Sequence, residues 1–349
     1  MPSSARSQAS SSIREFDLIR ALKRRYGAID GRIVRGIGDD AAVIAPDRKR
    51  RLLLTTDLLA ESIHFNCRTA AFTHIGFRAP AANLSDIAAM GGTAEYLLVS
   101  LAVPRGATPP QVEHLYEGMM AACRPHRVRL IGGDTSASKT GWFVNITLVG
   151  SANSGGILLR RGARPGDDLY VTGTLGDWRA GLQLLQRPRT THTRSLSPRH
   201  RRFLTRRHLR PTARVREGRW LSEAAWATSA IDLSDGLSGD LPHLCAESRV
   251  GAVIERSALP ISSACRQYAE SCRQDAEALA VAGGEDYELL FTVPARHRTR
   301  FQRASVQRRF RVTRVGRITP AKEGLRMTLP DGRQRPLPSS GYEHFRSTR

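Results

Sequence analysis

Seven aspartates lie in short segments where they could bind a divalent cation. They are Asp39, Asp40, Asp57, Asp86, Asp134, Asp232 and Asp235. Most of them end an apolar stretch that is typical of a strand, as in LLLTTD, LIGGD and IDLSD, and one lies within the small and apolar ANLSDIAAM. A single aspartate in such a place is usually a helix cap or a turn residue. The recurrence of the pattern favours a shared site.

The positive charge that would balance these carboxylates is missing from their own segments. Buried carboxylates are costly unless cations neutralise them. The chain has four lysines, and the segments TTD, NLSD, IGGDT and IDLSDG contain no arginine. Magnesium binds carboxylate oxygens together with water and substrate phosphates, and Thr55, Thr56 and Ser234 offer further oxygens beside the aspartates. The sequence therefore predicts several Mg²⁺ ions, a polyphosphate substrate and phosphoryl transfer.

The segment RGIGDDAAVI has the spacing of a loose dinucleotide-binding fingerprint through Gly36, Gly38 and Ala41. In that motif the pyrophosphate lies on the glycine backbone, where Asp39 and Asp40 would repel it. Mg²⁺ between carboxylate and phosphate would convert the repulsion into a bridge, so we interpret the fingerprint as accidental. The chain has no phosphate-binding G-x-x-x-x-G-K-[ST] motif, no protein-kinase motifs and no His/Cys cluster typical of zinc.

Composition indicates an arginine-rich globular protein of two domains. The 349 residues exceed the usual size of one domain, and the net charge is +22. That charge suits either nucleic acid or the steering of small anions. The arginines are spread along the chain and aromatic residues make up only 6%, so nucleic acid is not favoured. Five cysteines without a CxxC pair, no bilayer-length apolar run and no secretory signal predict a cytoplasmic protein without membrane contact.

Hydrophobic periodicity predicts alternating strands and helices in both halves of the chain. The first half reads as a helix at 13–26, a buried strand at 51–57, a helix at 73–92 and a helix that begins at Pro109, with strands between them. Pro80 lies inside the second helix and is expected to kink it and shift Asp86. Residues 151–156 form the candidate linker, and 187–211 is a basic connection that we expect to be exposed. The class is α/β or α+β.

An ordered series of motifs resembles the thiamine-monophosphate kinase family. The series is GIGDDAAV, TTDLLAESIHF, NLSDIAAMGG, IGGDTS, RPGDDLYVTGTLGD, HLRP, SAIDLSDGLSGDL, GGEDYELLFTV and GYEHF. The resemblance implies a two-domain fold like that of aminoimidazole ribonucleotide synthetase, with mixed sheets flanked by helices. A disordered tail at 1–12 would precede an ATP- and Mg²⁺-binding dimerisation domain at 13–150 and a C-terminal α/β domain at 157–349. The resemblance also implies a homodimer that phosphorylates thiamine monophosphate with ATP, the last step of thiamine diphosphate synthesis.

The resemblance also assigns site residues. The metal ligands would be Asp40, Thr55, Thr56, Asp57, Asp86, Asp134, Asp232 and Asp235. The ATP-binding positions would be Tyr116, Gly133, Asp134, Arg160 and Ser234, and the substrate-binding positions His64, Glu285 and Tyr342. Three alternatives stay open: Asp39 either binds metal or holds its turn, Tyr116 is either a ligand or a core aromatic, and Arg161 competes with Arg160. Glu285 would contact either the thiazolium or the aminopyrimidine, and Tyr342 would stack on a ring.

The expected chemistry is direct in-line transfer without a covalent nucleophile. A phosphate monoester is already anionic, so positioning and charge neutralisation are the main tasks of the protein. One alternative is another ATP-using enzyme of the same superfamily. A second, of a different class, is a nucleic-acid-binding protein that uses the arginine-rich segment, and a third is a homodimer without activity.

Overall fold

The computed structural model describes residues 33–35, 39–46, 49–186 and 195–338. Four predictions lie outside these residues: the tail at 1–12, the helix at 13–26, the turn at Gly36 and Gly38, and the site residue Tyr342. Within them the chain forms two sheets flanked by helices, as the sequence predicts. The proposed domain limits at 13–150 and 157–349 stay predictions.

The first sheet has six strands and carries two long helices. Its strands are β1 (Ile33–Arg35), β2 (Ala42–Ile44), β3 (Arg50–Ala60), β4 (Thr93–Pro104), β5 (Arg129–Ser138) and β6 (Phe143–Asn153), in the spatial order β1-β2-β3-β6-β4-β5. Only β4 and β5 pair in parallel. Helices α1 (Phe72–Ala89) and α2 (Pro109–Cys123) connect the strands. Proline starts α2, where its missing N–H costs nothing.

The second sheet has seven strands and belongs to the second half of the chain. Its strands are β7 (Asp167–Thr172), β8 (Ser229–Asp232), β9 (Val250–Glu255), β10 (Leu289–Pro294), β11 (Val312–Pro320), β12 (Leu325–Thr328) and β13 (Gln334–Pro336), in the order β13-β12-β9-β11-β7-β10-β8. The helices are α3 (Asp177–Gln186), α4 (Pro198–Leu209), α5 (Val215–Glu223), α6 (Leu237–Ser248), α7 (Ser263–Ser271), α8 (Ala276–Ala282) and α9 (Arg298–Gln307). No helix in the described ranges is long and apolar enough to cross a membrane.

Helix α1 lies between the two halves and is buried along most of its length. Close approach requires glycine at its contacts: a Cβ on Gly118 of α2 would lie 2.0 Å from the Thr73 carbonyl oxygen, and one on Gly218 of α5 would lie 2.0 Å from the Ala88 carbonyl oxygen. The helix continues through Pro80, so the proline does not end it. The two halves therefore hold α1 at opposite ends: the first half contacts its first turn, and the second half contacts its last turn, which carries Asp86.

The structure corrects three expectations about the elements. Strand β3 is buried on one face only, and Leu58 on its other face is 51% exposed. Strand β6 runs to Asn153, so the predicted linker 151–156 is strand in its first half. The basic segment 187–211 contains helix α4, because Leu204 and His208, one turn apart, are buried and Leu204 packs tightly against Gly181 of α3. The arginines of α4 lie around this apolar stripe.

Candidate active site

Three aspartates from distant parts of the sequence meet between the two halves. One carboxylate oxygen each from Asp40, Asp86 and Asp232 lies within 4.8 Å of the others. Asp40 lies just before β2, Asp86 in the last turn of α1 and Asp232 at the end of β8. The three residues therefore come from three separate segments of the fold. The structure thus brings together three of the aspartates that the sequence singles out.

Strand β3 adds Thr55 and Asp57 to this cluster because alternate residues of a strand share one face. The Thr55 hydroxyl donates a hydrogen bond to Asp86 Oδ2. Asp57 Oδ2 is buried and has no hydrogen-bond partner among the described residues. Thr56 points to the opposite, exposed face, where its hydroxyl donates to the Ile146 carbonyl at 3.0 Å. Its side chain is therefore not part of the cluster.

Negative charge accumulates in this cluster and changes how its members ionise. Burial raises the pKa of Asp57 to about 6. Burial and the charges of Asp57 and Asp232 raise the pKa of Asp86 well above its usual value, and burial with the charge of Asp40 does the same to the pKa of Asp232. Burial and Asp40 raise the pKa of Asp39 to about 7. Asp57 Oδ2 has no hydrogen-bond partner among the described residues, and the carboxylates around it repel one another. Together these oxygens are a ligand set that suits a hard divalent cation.

Arg160 supplies positive charge to the edge of the cluster. Its Nε donates to Asp40 Oδ2 at 3.0 Å and its Nη2 to Asp40 Oδ1 at 2.8 Å, and Nε lies 3.9 Å from Asp39 Oδ1. Burial opposes the charged guanidinium, but Asp40 and Asp39 outweigh it and raise the pKa of Arg160. Arg161 is exposed. Of the two arginines considered from the sequence, the structure places Arg160 at the site.

The loop after β8 carries Ser234 and Asp235 and is fixed at both ends. The Ser85 hydroxyl donates to Asp232 Oδ2 at 2.6 Å, and the Asp235 N–H donates to Asp240 Oδ2 at 3.0 Å. Burial and the charge of Asp235 raise the pKa of Asp240 well above its usual value. The sequence reasoning missed Asp240. Its signal was the third aspartate of DLSDGLSGDL.

Arg78 joins the candidate substrate residues His64 and Glu285 by donating a hydrogen bond to each. Arg78 Nη1 donates to the His64 carbonyl at 3.0 Å, and Nη2 donates to Glu285 Oε2 at 2.6 Å. Glu285 N–H in turn donates to the Ser234 carbonyl at 2.7 Å, which attaches this group to the loop after β8. Burial and Glu285 raise the pKa of the nearby Tyr287 phenol well above its usual value. Sequence reasoning also missed Arg78 and Tyr287, although arginine within the small and apolar FRAPAANL is unusual.

Three predicted ATP and metal positions lie away from this cluster. Gly133 and Asp134 belong to β5, an exposed edge strand. Glycine is required there because a Cβ at 133 would lie 1.9 Å from the Val99 carbonyl oxygen of β4. Tyr116 is half-buried on α2 and packs against the hydrophobic core, as its alternative interpretation expects.

The two-sheet fold and the acidic site define an AIR synthase-related protein. The N-terminal domain of the family "AIR synthase related protein" matches residues 38–152, and its C-terminal domain matches residues 164–327. The fold predicted from the resemblance is therefore confirmed.

Whole-chain comparisons give the particular family. A thiamine-monophosphate kinase of Salmonella typhimurium is 36% identical over 95% of this chain and 98% of its own length. AaThiL complexed with AMPPCP and TMP has a TM-score of 0.82 and 34% identity, over 95% of this chain and 97% of that one. The thiamine-monophosphate kinase of Stenotrophomonas maltophilia has a TM-score of 0.73 and 35% identity, over 90% of this chain and 95% of that one. The chain belongs to the thiamine-monophosphate kinase family.

Proposed function

We propose that this protein transfers the γ-phosphoryl group of ATP to thiamine monophosphate and releases thiamine diphosphate and ADP. The observation that carries the proposal is the cluster of Asp40, Asp86 and Asp232, joined by Asp57 and edged by Arg160, at the junction of the two halves. Such a cluster suits a polyanionic substrate only when cations accompany that substrate. The family relatives and the complex with AMPPCP and TMP supply the identity of the two substrates.

Mg²⁺ fits the donor set of this site. Asp40, Asp57, Asp86 and Asp232 would hold it, with Thr55 fixing Asp86, and Asp235 would join them from the loop after β8. When bound, the metal neutralises phosphate charge. Thr56 would contribute a backbone oxygen rather than its hydroxyl, since its side chain lies on the other face of β3.

The residues of the chain then have positioning and neutralising tasks. The acceptor is a phosphate monoester that is an anion near neutral pH, so no strong base is needed. Arg160 would offset charge that gathers at Asp40, and Glu285 and His64, which Arg78 joins, would hold the far end of the acceptor. Direct in-line transfer follows, with no phosphorylated protein on the pathway.

The partner that we propose is a second copy of the chain. The open face and edge of the first sheet expose large apolar side chains, with Leu58 at 51% and Ile131 at 58% exposure, and β5 is an unpaired edge among the described strands. Exposed apolar edge strands are normally covered. A second copy on this face would also cover Gly133 and Asp134, the predicted ATP and metal positions that lie outside the cluster. A cytoplasmic location stays a prediction.

The activity is tested by following thiamine diphosphate formation from ATP, Mg²⁺ and thiamine monophosphate. Asp57→Asn should reduce the rate at least about 100-fold, because it removes a charged ligand from the site. Asp331→Asn changes an exposed aspartate of the second half and is the matched control. A folded wild-type protein that makes no thiamine diphosphate would refute the proposal, and an Asp57→Asn variant as active as Asp331→Asn would refute its metal site.

The dimer is tested by light scattering. The wild type should have the mass of two chains. Ile131→Asp places a charge on the open face and should give single chains, whereas Val306→Asp on α9, where the side chain is 74% exposed, should not. A wild type with the mass of one chain would contradict the dimer.

A further inference from the structure

Arg78 is a buried arginine that touches both candidate substrate residues. Its side chain is only 3% exposed. One guanidinium nitrogen donates to the His64 carbonyl at 3.0 Å and another donates to Glu285 Oε2 at 2.6 Å. Glu285 is 207 residues from Arg78 in sequence. A single side chain of α1 therefore fixes the position of both residues.

Neighbours of Arg78 hold its guanidinium in place. The guanidinium carbon lies 5.5 Å from the centre of the Trp178 ring. The backbone N–H of Trp178 donates to Asp286 Oδ1 at 3.1 Å, and Asp286 follows Glu285 directly. Trp178 thus covers Arg78 on one side and attaches to the Glu285 loop on the other. Burying a guanidinium is costly, so this arrangement depends on its anionic partner.

The ion pair changes what Glu285 can offer to a ligand. Arg78 occupies Oε2 and cancels the negative charge, while Glu285 stays 22% exposed. The backbone of Glu285 has φ of 55°, a conformation that residues other than glycine rarely adopt, and its N–H donates to the Ser234 carbonyl. The carboxylate is therefore fixed in direction and nearly neutral as a unit. A paired carboxylate of this kind binds a neutral hydrogen-bond donor more favourably than it binds a delocalised cation.

We propose that Arg78 is a positioning and specificity-determining residue: by pairing with Glu285 it directs the free Glu285 oxygen to accept a hydrogen bond from the aminopyrimidine of the substrate, rather than to bind the thiazolium by charge. This inference rests on the proposed function. It decides between the two contacts that the sequence leaves open for Glu285. It also explains why a buried cation stands at the substrate end of the site, away from the Asp40 cluster.

The first test compares thiamine monophosphate with the analogue in which a carbonyl replaces the 4′-amino group. The wild type should prefer the amino form at least about tenfold in kcat/KM, because the analogue lacks the donor. Arg78→Gln should raise KM for thiamine monophosphate about tenfold and leave KM for ATP within about twofold of the wild-type value. It should also reduce the preference in kcat/KM for thiamine monophosphate over the carbonyl analogue. Arg78→Lys should restore part of the preference, since its ammonium can still donate to Glu285. Arg210→Gln, which changes the exposed arginine over the Phe77 ring, is the matched control and should change neither KM.

A second variant covers the case in which Arg78→Gln does not fold. Glu285→Gln keeps Arg78, which can still donate to the side-chain oxygen at 285, so the amide NH2 group takes the position of the free Glu285 oxygen. Because this nitrogen donates and does not accept, the variant should lose the preference for the amino form. Retention of the wild-type preference in Glu285→Gln would overturn the proposal, as would a rise in both KM values together in Arg78→Gln. Wild-type turnover tests the function separately: if the wild type neither phosphorylates nor binds thiamine monophosphate, the function fails and this inference falls with it.

Discussion

The Arg160 guanidinium makes two hydrogen bonds to the Asp40 carboxylate although 120 residues separate them in sequence. This pair joins the segment before β2 to the segment that enters the second half of the chain. It is a bidentate arrangement, the geometry in which arginine binds carboxylates most strongly. Arg160 offsets one carboxylate charge of the cluster, and the cations that we propose for Asp40, Asp57, Asp86 and Asp232 would offset the rest.

Substitution of Arg160 should lower both the free energy of unfolding and kcat/KM for ATP. Arg160→Gln leaves the nearly buried Asp40 without its partner, which should lower the free energy of unfolding by roughly 3 kcal/mol in the absence of Mg²⁺. Urea denaturation measures that loss, and kcat/KM for ATP should fall in parallel. Arg161→Gln is the control, because that side chain is exposed. Equal effects of the two substitutions would argue against the assigned role of Arg160.

Neutralising one aspartate of the cluster should stabilise the protein without metal and remove its response to metal. Asp232→Asn relieves repulsion by Asp40 and Asp57 and keeps an oxygen that accepts from Ser85. Thermal unfolding at pH 8 without metal should therefore occur at a higher temperature than in the wild type. Added Mg²⁺ should raise the wild-type Tm and leave that of the variant almost unchanged. A variant that responds to Mg²⁺ like the wild type would show that Asp232 is not a ligand.

Asp286 should make stability depend on pH. Burial raises the pKa of Asp286 to about 7, so the folded chain binds this proton more tightly than the unfolded chain. Its contribution to the free energy of unfolding is complete below about pH 4 and is lost as the pH rises to about 7. The stability of the wild type relative to Asp286→Asn should therefore fall over this interval and level off above it. Denaturation of both proteins at several pH values, without Mg²⁺, measures this difference. A difference that grows with pH would contradict the raised pKa.

The contact between α5 and the end of α1 should not tolerate a methyl group. A Cβ on Gly218 would lie 2.0 Å from the Ala88 carbonyl oxygen, whereas one on Gly155 meets nothing within 4 Å. Gly218→Ala should reduce the free energy of unfolding by about 1–3 kcal/mol and lower activity, because it displaces the turn that carries Asp86. Gly155→Ala should be neutral in the same denaturation and activity assays. A stable and fully active Gly218→Ala protein would mean that α1 can shift without effect on the site.

Local patterns in the sequence predicted most of the helices and strands. Apolar segments identified β3 and β6, and proline with helical spacing identified α2, because these signals depend on neighbouring residues alone. Helix α4 was taken for an exposed connection, because its apolar stripe consists of few residues among many arginines. Burial of only one face of β3 could not be read from its apolar run.

The sequence by itself determined that aspartates recur at the ends of apolar segments, and its ordered motifs determined the family. Only the tertiary structure decided which of them meet: Asp40, Asp86 and Asp232 converge, whereas Asp134 lies on an exposed edge and the Thr56 hydroxyl on the far face of β3. It alone joined Arg78 to Glu285 and Arg160 to Asp40. The reason is physical. Residue type and spacing set local conformation, but the distance between charges far apart in sequence depends on how the two sheets pack around α1.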